Sequence, residues 1–261
     1  MNHLNKIGFC GDLRWVFNEE GCGAKFYKSS VYFPDDLTDP RSQSGITIDP
    51  GLDLGHAEPR IINEVLQFYF SENLINQEQL NLLLKALGKK RFEAITWIKE
   101  YKSFFKNKFL VPELTAVYVM DKYTAPGYWL ALVAHCKELL EIENVAIKCA
   151  VHTALLSHAY NRGAIRTIKL TSALVREKKW IELADMIQQV NSPMQSLVDR
   201  RQREGLLIKA AVKLDKSFKM QFPNLAARPI TSIEAFRKEL VLSQIEFNES
   251  KVDATKVRIN L

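Results

Sequence analysis

From residue 60 to residue 213 the chain reads as one helix after another, and that run confines it to folds with a large helical body. Apolar residues recur there at three- and four-residue spacing, the signature of amphipathic helices. "RIINEVLQFYFSE" is one such segment, and "NQEQLNLLLKALG" is a second with a terminal glycine. "KRFEAITWIKEYKSFF" sets Phe92, Ile95, Ile98 and Tyr101 on related faces. Pro112 starts a further helix at a position where a missing N–H costs nothing. Two helices are expected within 127–160, with Gly163 closing "YNRG", and three more over 164–178, 180–190 and 195–213. The tail from 216 breaks at "FPNLAARP"; Thr231 and Glu234 then give a capping-box signal for a last helix near 232–246.

The first sixty residues follow a different rule. "FCGDLRWVFNEE", residues 9–20, reads as a short helix with Leu13, Val16 and Phe17 on one face and Gly21 as its stop. "AKFYKSSVYF" alternates and is rich in aromatic and β-branched residues, which predicts a hairpin, with a loop over 34–43. "GITID" is a further strand. The expected architecture is therefore α+β, a small N-terminal β-lobe and a large helical lobe with the natural cleft between them.

Within "SGITIDPGLDLGHA", residues 44–57, strand alternation points Ile46 and Ile48 to the core, with Thr47 and Asp49 the other way. Asp49-Pro50-Gly51-Leu52 fits a type II turn, proline fixing the first central φ and glycine supplying the positive second one. Asp53 follows at once, so it is held close to Thr47, and Gly55 permits close chain approach. The same residues also fit a purely structural reading, in which Asp53 caps the helix beginning near residue 57 and Thr47 pairs across strands. A partner for this turn stands at Glu20, at the expected helix C-terminus. Unpaired carbonyls there oppose a negative charge, and partial burial opposes it further, so Glu20 is expected to keep its proton to a higher pH. A glutamic acid protonated near neutrality can donate to a leaving group. Glu19 is its rival, pointing elsewhere on the helix.

Charge and special residues narrow the classes further. The net charge is +6, but residues 1–60 hold 6 Lys/Arg against 9 Asp/Glu, and the rest hold 30 against 21. A basic body suits an anionic partner such as nucleic acid, a membrane surface or a cell-wall polymer, and equally a solvated surface. Aromatic residues are not interleaved with the basic clusters, which argues against nucleic acid. No apolar run approaches about 18 residues, so no membrane insertion is expected, and the N-terminus lacks the pattern of a secretory signal. Cys10, Cys22, Cys136 and Cys149 form no CxxC pair. Cys136 and Cys149 read as reduced core residues, whereas Cys10 and Cys22 flank one helix and could pair outside the cytoplasm. His152 and His158 are six apart, about 240° around a helix, so they do not form a helical zinc pair. No metal or cofactor is expected. Trp15, Trp97, Trp129 and Trp180 read as core residues more than as sugar platforms.

"EGCGAKFYK…SGITIDPGLDLGH" resembles the start of phage-type lysozymes, and more closely the muramidase domain of pesticin-like toxins. The residues that carry the resemblance are Glu20, Gly21, Tyr27, Gly45, Thr47, Ile48, Gly51, Asp53, Gly55 and His56. "AVHTALLSHAYNRG" is similar to the central helix of the helical lobe, and "KKWIELADMIQQVNSPMQSLVDRRQREGLL" to the helices that close it. The likeness spans roughly residues 9–212, which implies a lysozyme-like domain over 1–215 and a C-terminal extension over 216–261.

The resemblance implies a metal-free muramidase that hydrolyses the β-1,4 bond after N-acetylmuramic acid in peptidoglycan. Glu20 would be the general acid, with Thr47 and Asp53 holding and activating the attacking water. Phage lysozymes carry an aspartate nine residues after the glutamate; here Ser29 stands there, and Asp53 is expected to take the role, with Asp35, Asp36 and Asp49 as substitutes. Two carboxyl groups suffice for glycoside hydrolysis, and a threonine-held water favours inversion. Tyr27, His56 and an arginine of "VDRRQR", Arg200 or Arg201, are the candidate substrate contacts. Made without an export signal, such an enzyme would reach the periplasm or wall of a target bacterium as a lysin or a secreted antibacterial effector, with an immunity protein or a secretion component as further partners. A degenerate lysozyme that binds the wall without cleaving it is the alternative.

Overall fold

A computed structural model describes residues 3–21, 45–48, 51–105, 109, 111–192 and 195–221. The described residues are mostly helical, with one small two-stranded antiparallel sheet among them. It divides into two compact units, one of Phe17–Pro126 and the other of Met1–Val16 with Gly127–Leu261. Among the described residues no helix is long and apolar enough to cross a membrane.

α1 spans His3–Lys6 and α2 spans Leu13–Gly21. The expected helix over 9–20 thus begins four residues late, because Asp12 caps it: its Oδ1 accepts from the Trp15 N–H at 2.9 Å. Leu13, Val16 and Phe17 are all buried, as their spacing predicts. The predicted hairpin and the loop after it lie outside the described residues, as do Cys22 and the helix expected near 232–246.

In the Phe17–Pro126 unit, β1 (Thr47–Ile48) pairs with β2 (Leu52–Asp53), and helices follow. α3 runs Pro59–Ser71 with proline in its first turn. α4, Gln77–Lys85, opens on a reciprocal capping box between Asn76 and Gln79. α5 runs Arg91–Phe105. Its core face differs from expectation. Ala94, Trp97 and Phe105 are buried, while Phe92 is 77% exposed. The true stripe repeats from Ala94 through Trp97 and Tyr101 to Phe105, so Phe92 falls off its edge. α6, Glu113–Val119, starts after Pro112 as predicted. It leads through a π-helical turn, Met120–Thr124, into α7, Ala125–His135.

The other unit is built on α8, Val145–Arg162. Asn144 caps its start, accepting from the Ile147 N–H at 3.0 Å, and Gly163 ends it at φ 86°. Twelve of its residues between Ile147 and Tyr160 are buried, so it is apolar-packed all round, as a central helix must be. α9 (Ala164–Arg176), α10 (Trp180–Gln188) and α11 (Gln195–Gln221) complete the unit, with α8 against α9 and α11, and α10 against α9 and α11. α11 runs past the domain end expected at residue 215.

Candidate active site

Of the stretch singled out in the sequence, residues 45–48 and 51–57 are described, and Asp49 and Pro50 lie outside the described residues. Ile46 and Ile48 are wholly buried and Thr47 between them is half-buried, so the alternation holds. Gly51 has φ 77°, the left-handed region that glycine favours. The antiparallel register sets Thr47 directly opposite Asp53 and Ile48 opposite Leu52. Cross-strand partners share a face, so the side chains of Thr47 and Asp53 leave the same face of the sheet.

The Asp53 carboxylate is held by the chain around it. Its Oδ1 accepts from the Gly45 N–H at 3.0 Å and from the Gly55 N–H at 2.8 Å. Its Oδ2 lies 3.2 Å from the Gly45 nitrogen and 3.0 Å from His56 Nδ1. These bonds explain both glycines. A Cβ on Gly45 would sit 2.6 Å from Asp53 Oδ1 and from the backbone of Gly55, and one on Gly55 would sit 2.7 Å from the Lys89 carbonyl oxygen. The side chains of Asp53 and His56 remain 23% and 43% exposed. A carboxylate fixed by peptide donors yet open to water can orient a water molecule beside a hydroxyl.

Glu20 lies in the last turn of α2, half-buried, in the same compact unit as Thr47, Asp53 and His56. Glu19 is half-buried too, so burial does not separate the rivals. Tyr27 and the substitutes Asp35, Asp36 and Asp49 lie outside the described residues.

Arg201 corrects an expectation. It does not extend toward a substrate; it is 2% exposed, and Arg200 is 3% exposed. Both serve a buried network between α8 and α11 whose centre is Glu204. Arg201 Nη1 donates to both carboxylate oxygens, at 2.7 and 2.6 Å, and its Nη2 donates to Asn161. Arg200 Nε donates to Glu204 at 3.2 Å and to the Ser157 hydroxyl at 3.1 Å. The Ser157 hydroxyl donates to Glu204 at 2.6 Å, and His158 Nδ1 approaches it at 3.0 Å. Burial alone would raise the Glu204 carboxyl, but His158, Arg201 and Arg200 together reverse that and hold it at about 2. Burial lowers His158 against the opposing pull of Glu204 beside it; its Nε2 is buried with no hydrogen-bond partner. Sequence reading noticed the arginines and missed Glu204. Its position three and four residues after them, on one helix face, is the signal that could have found it.

The remaining titratable residues serve the core of the same unit. His152 Nδ1 accepts from the Cys10 N–H at 3.2 Å, so its Nε2–H donates to the Leu139 carbonyl at 2.9 Å. Burial lowers it to about 3. Cys10, Cys136 and Cys149 are free thiols, raised by burial to about 11, 11 and 12. No protein-family model matches this chain, and no curated protein sequence matches it either.

Proposed function

We propose that the chain is a peptidoglycan muramidase with a lysozyme-like fold. Glu20 protonates the glycosidic oxygen, and Thr47 with Asp53 holds the water that attacks the anomeric carbon from the other face. The one observation that carries this reading is the direct pairing of Thr47 with Asp53, whose carboxylate is locked by the N–H groups of Gly45 and Gly55. His56 orients the second carboxylate oxygen and lines the site. The reaction inverts, because a water held between hydroxyl and carboxylate is the nucleophile. The substrate places the enzyme's work in the periplasm or wall of a target bacterium, as an antibacterial effector or lysin.

Mass spectrometry of digested, purified peptidoglycan tests the assignment. Reducing muramic-acid ends are expected from the wild type and none from Glu20→Gln. Equal release by both would remove Glu20 from the mechanism, and release of peptides in place of saccharides would replace the muramidase with an amidase. One observation favours a wall-binding module without catalysis: each Asp53 oxygen already has protein partners. Binding of the wall without release of reducing ends would establish that alternative.

A further inference from the structure

The unit that holds Thr47 and Asp53 carries a second feature, an open groove of about 560 Å³ between the end of α4 and the outer face of α5. Its lining follows from helix geometry. Phe92, Thr96 and Glu100 form one row at four-residue spacing on α5, and Glu93, Trp97 and Tyr101 form the neighbouring row. Lys85 and Lys89 supply the opposite wall. Trp97 is 3% exposed and makes the floor, its ring 5.3 Å from Tyr101. Phe92 stands at the rim with most of its ring in water.

We infer that this groove is a saccharide-binding subsite, one that holds amino-sugar rings of the glycan strand away from the bond that is cut. The chemistry of the lining selects among ligands. A polyanion would meet Glu93 and Glu100, and an acyl chain would have to desolvate four charged groups. A pyranose ring suits both features. Its C–H face packs on the rings of Phe92 and Tyr101, with the nearly buried Trp97 as floor beneath, and its hydroxyl and acetamide groups find acceptors in two carboxylates and donors in two ammonium groups. The volume falls within the range of small-ligand sites.

The groove is also tied to the Asp53 turn. Lys90, next to the wall residue Lys89, bridges Gly45 in antiparallel fashion. The Gly88 N–H donates to the Leu54 carbonyl at 3.0 Å, and Gly55 abuts the Lys89 carbonyl. The segment that forms one wall of the groove is thus hydrogen-bonded to the turn that holds the Asp53 carboxylate. The identity of the polymer rests on the muramidase reading; the ability to bind a saccharide does not.

Calorimetric titration of the full chain with chitotetraose reads the subsite directly, alongside steady-state digestion of solubilised peptidoglycan. Phe92→Ala removes an exposed ring and leaves the core intact. It is expected to weaken chitotetraose binding about tenfold and raise KM by a similar factor at unchanged kcat, and Glu100→Gln to weaken binding less. Glu20→Gln should bind as the wild type does. Wild-type binding that neither groove variant alters, or no binding at about 10 mM chitotetraose, overturns the subsite. Failure of the muramidase reading looks different: saccharide binding sensitive to Phe92→Ala persists, with no reducing ends formed.

Discussion

Asp53 carries two jobs in this reading, and two substitutions separate them. Asp53→Asn keeps an oxygen in the Oδ1 position, where the Gly45 and Gly55 N–H groups donate at 3.0 and 2.8 Å. Its amide nitrogen replaces the oxygen that faces His56, whose Nδ1 can accept in the other tautomer, and the longer 3.2 Å contact from the Gly45 N–H is lost while that N–H keeps Oδ1. The expected cost is no more than about 1 kcal/mol. Asp53→Ala leaves both N–H groups without an acceptor in a partly buried turn. At about 1 to 1.5 kcal/mol for each, the lower end of the range for stranded donors, the loss is about 2 to 3 kcal/mol. For a chain of this length that lowers Tm by about 4–10 °C, against about 3 °C or less for the asparagine variant. Activity should not follow stability. Neither an amide nor a methyl group can take a proton from water, so both variants should lose about 100-fold or more in kcat. Thermal melts by circular dichroism and reducing-end assays on peptidoglycan measure the two effects. An asparagine variant that stays within about threefold of wild-type kcat refutes the base role. Equal melting of the two variants refutes the hydrogen-bonding scheme.

The other buried features give further expectations. Glu204→Gln strips the negative charge from two arginines that are almost wholly buried; urea unfolding should show a loss of about 3–5 kcal/mol, and a loss below about 1 kcal/mol would mean the network is not what joins α8 to α11. Gly45→Ala forces a Cβ against Asp53 Oδ1 and the Gly55 backbone at 2.6 Å; it should destabilise by about 1–3 kcal/mol and depress activity together, and an unperturbed melt would show the turn is looser than drawn. His152 is lowered from 6.5 to about 3, and Glu204 from 4.5 to about 2. Both groups have a depressed folded pKa, so the stability they contribute is full above about pH 6.5 and drains as pH falls toward those values; a Tm that is flat from about pH 7 to pH 4 would exclude a neutral buried His152.

The helical body was legible because helices advertise themselves locally. Spacing of apolar residues marked α3 to α11, and Pro112 and Gly163 punctuated them. The Thr47–Asp53 pairing was legible for a similar reason, since a Pro-Gly turn fixes the register of the few residues beside it. What failed were contacts chosen by tertiary packing. Phe92 fits the period of α5 as well as Ala94 does, and only the neighbouring helix decides which of them is buried. Asp12 as a cap was hidden behind an apparently helical Phe9 and Cys10. The tie from Asp53 back to Gly45 spans eight residues, and the tie from Glu204 to Ser157 spans 47, so neither appears in any local pattern.

Among the described residues two carboxylates, Glu204 and Asp53, sit in dense hydrogen-bond networks, and solvent divides their roles. Glu204 is wholly buried, with two guanidinium groups, a hydroxyl and an imidazole around its two oxygens. No substrate oxygen can approach it, and a proton placed there would break two ion pairs, so its chemistry is confined to joining two helices. Asp53 is gripped by neutral peptide donors and one histidine, and nearly a quarter of its side chain meets water. Peptide N–H groups fix a carboxylate without supplying a counter-charge, so its negative charge stays available to a polarised water or a developing cation. A network rich in arginine is what a scaffold needs, and one rich in backbone amides opposite a half-buried threonine is what the proposed hydrolysis needs. On that criterion the proposed chemistry would belong to the Phe17–Pro126 unit, the smaller one, while Glu204 and its partners join helices of the other.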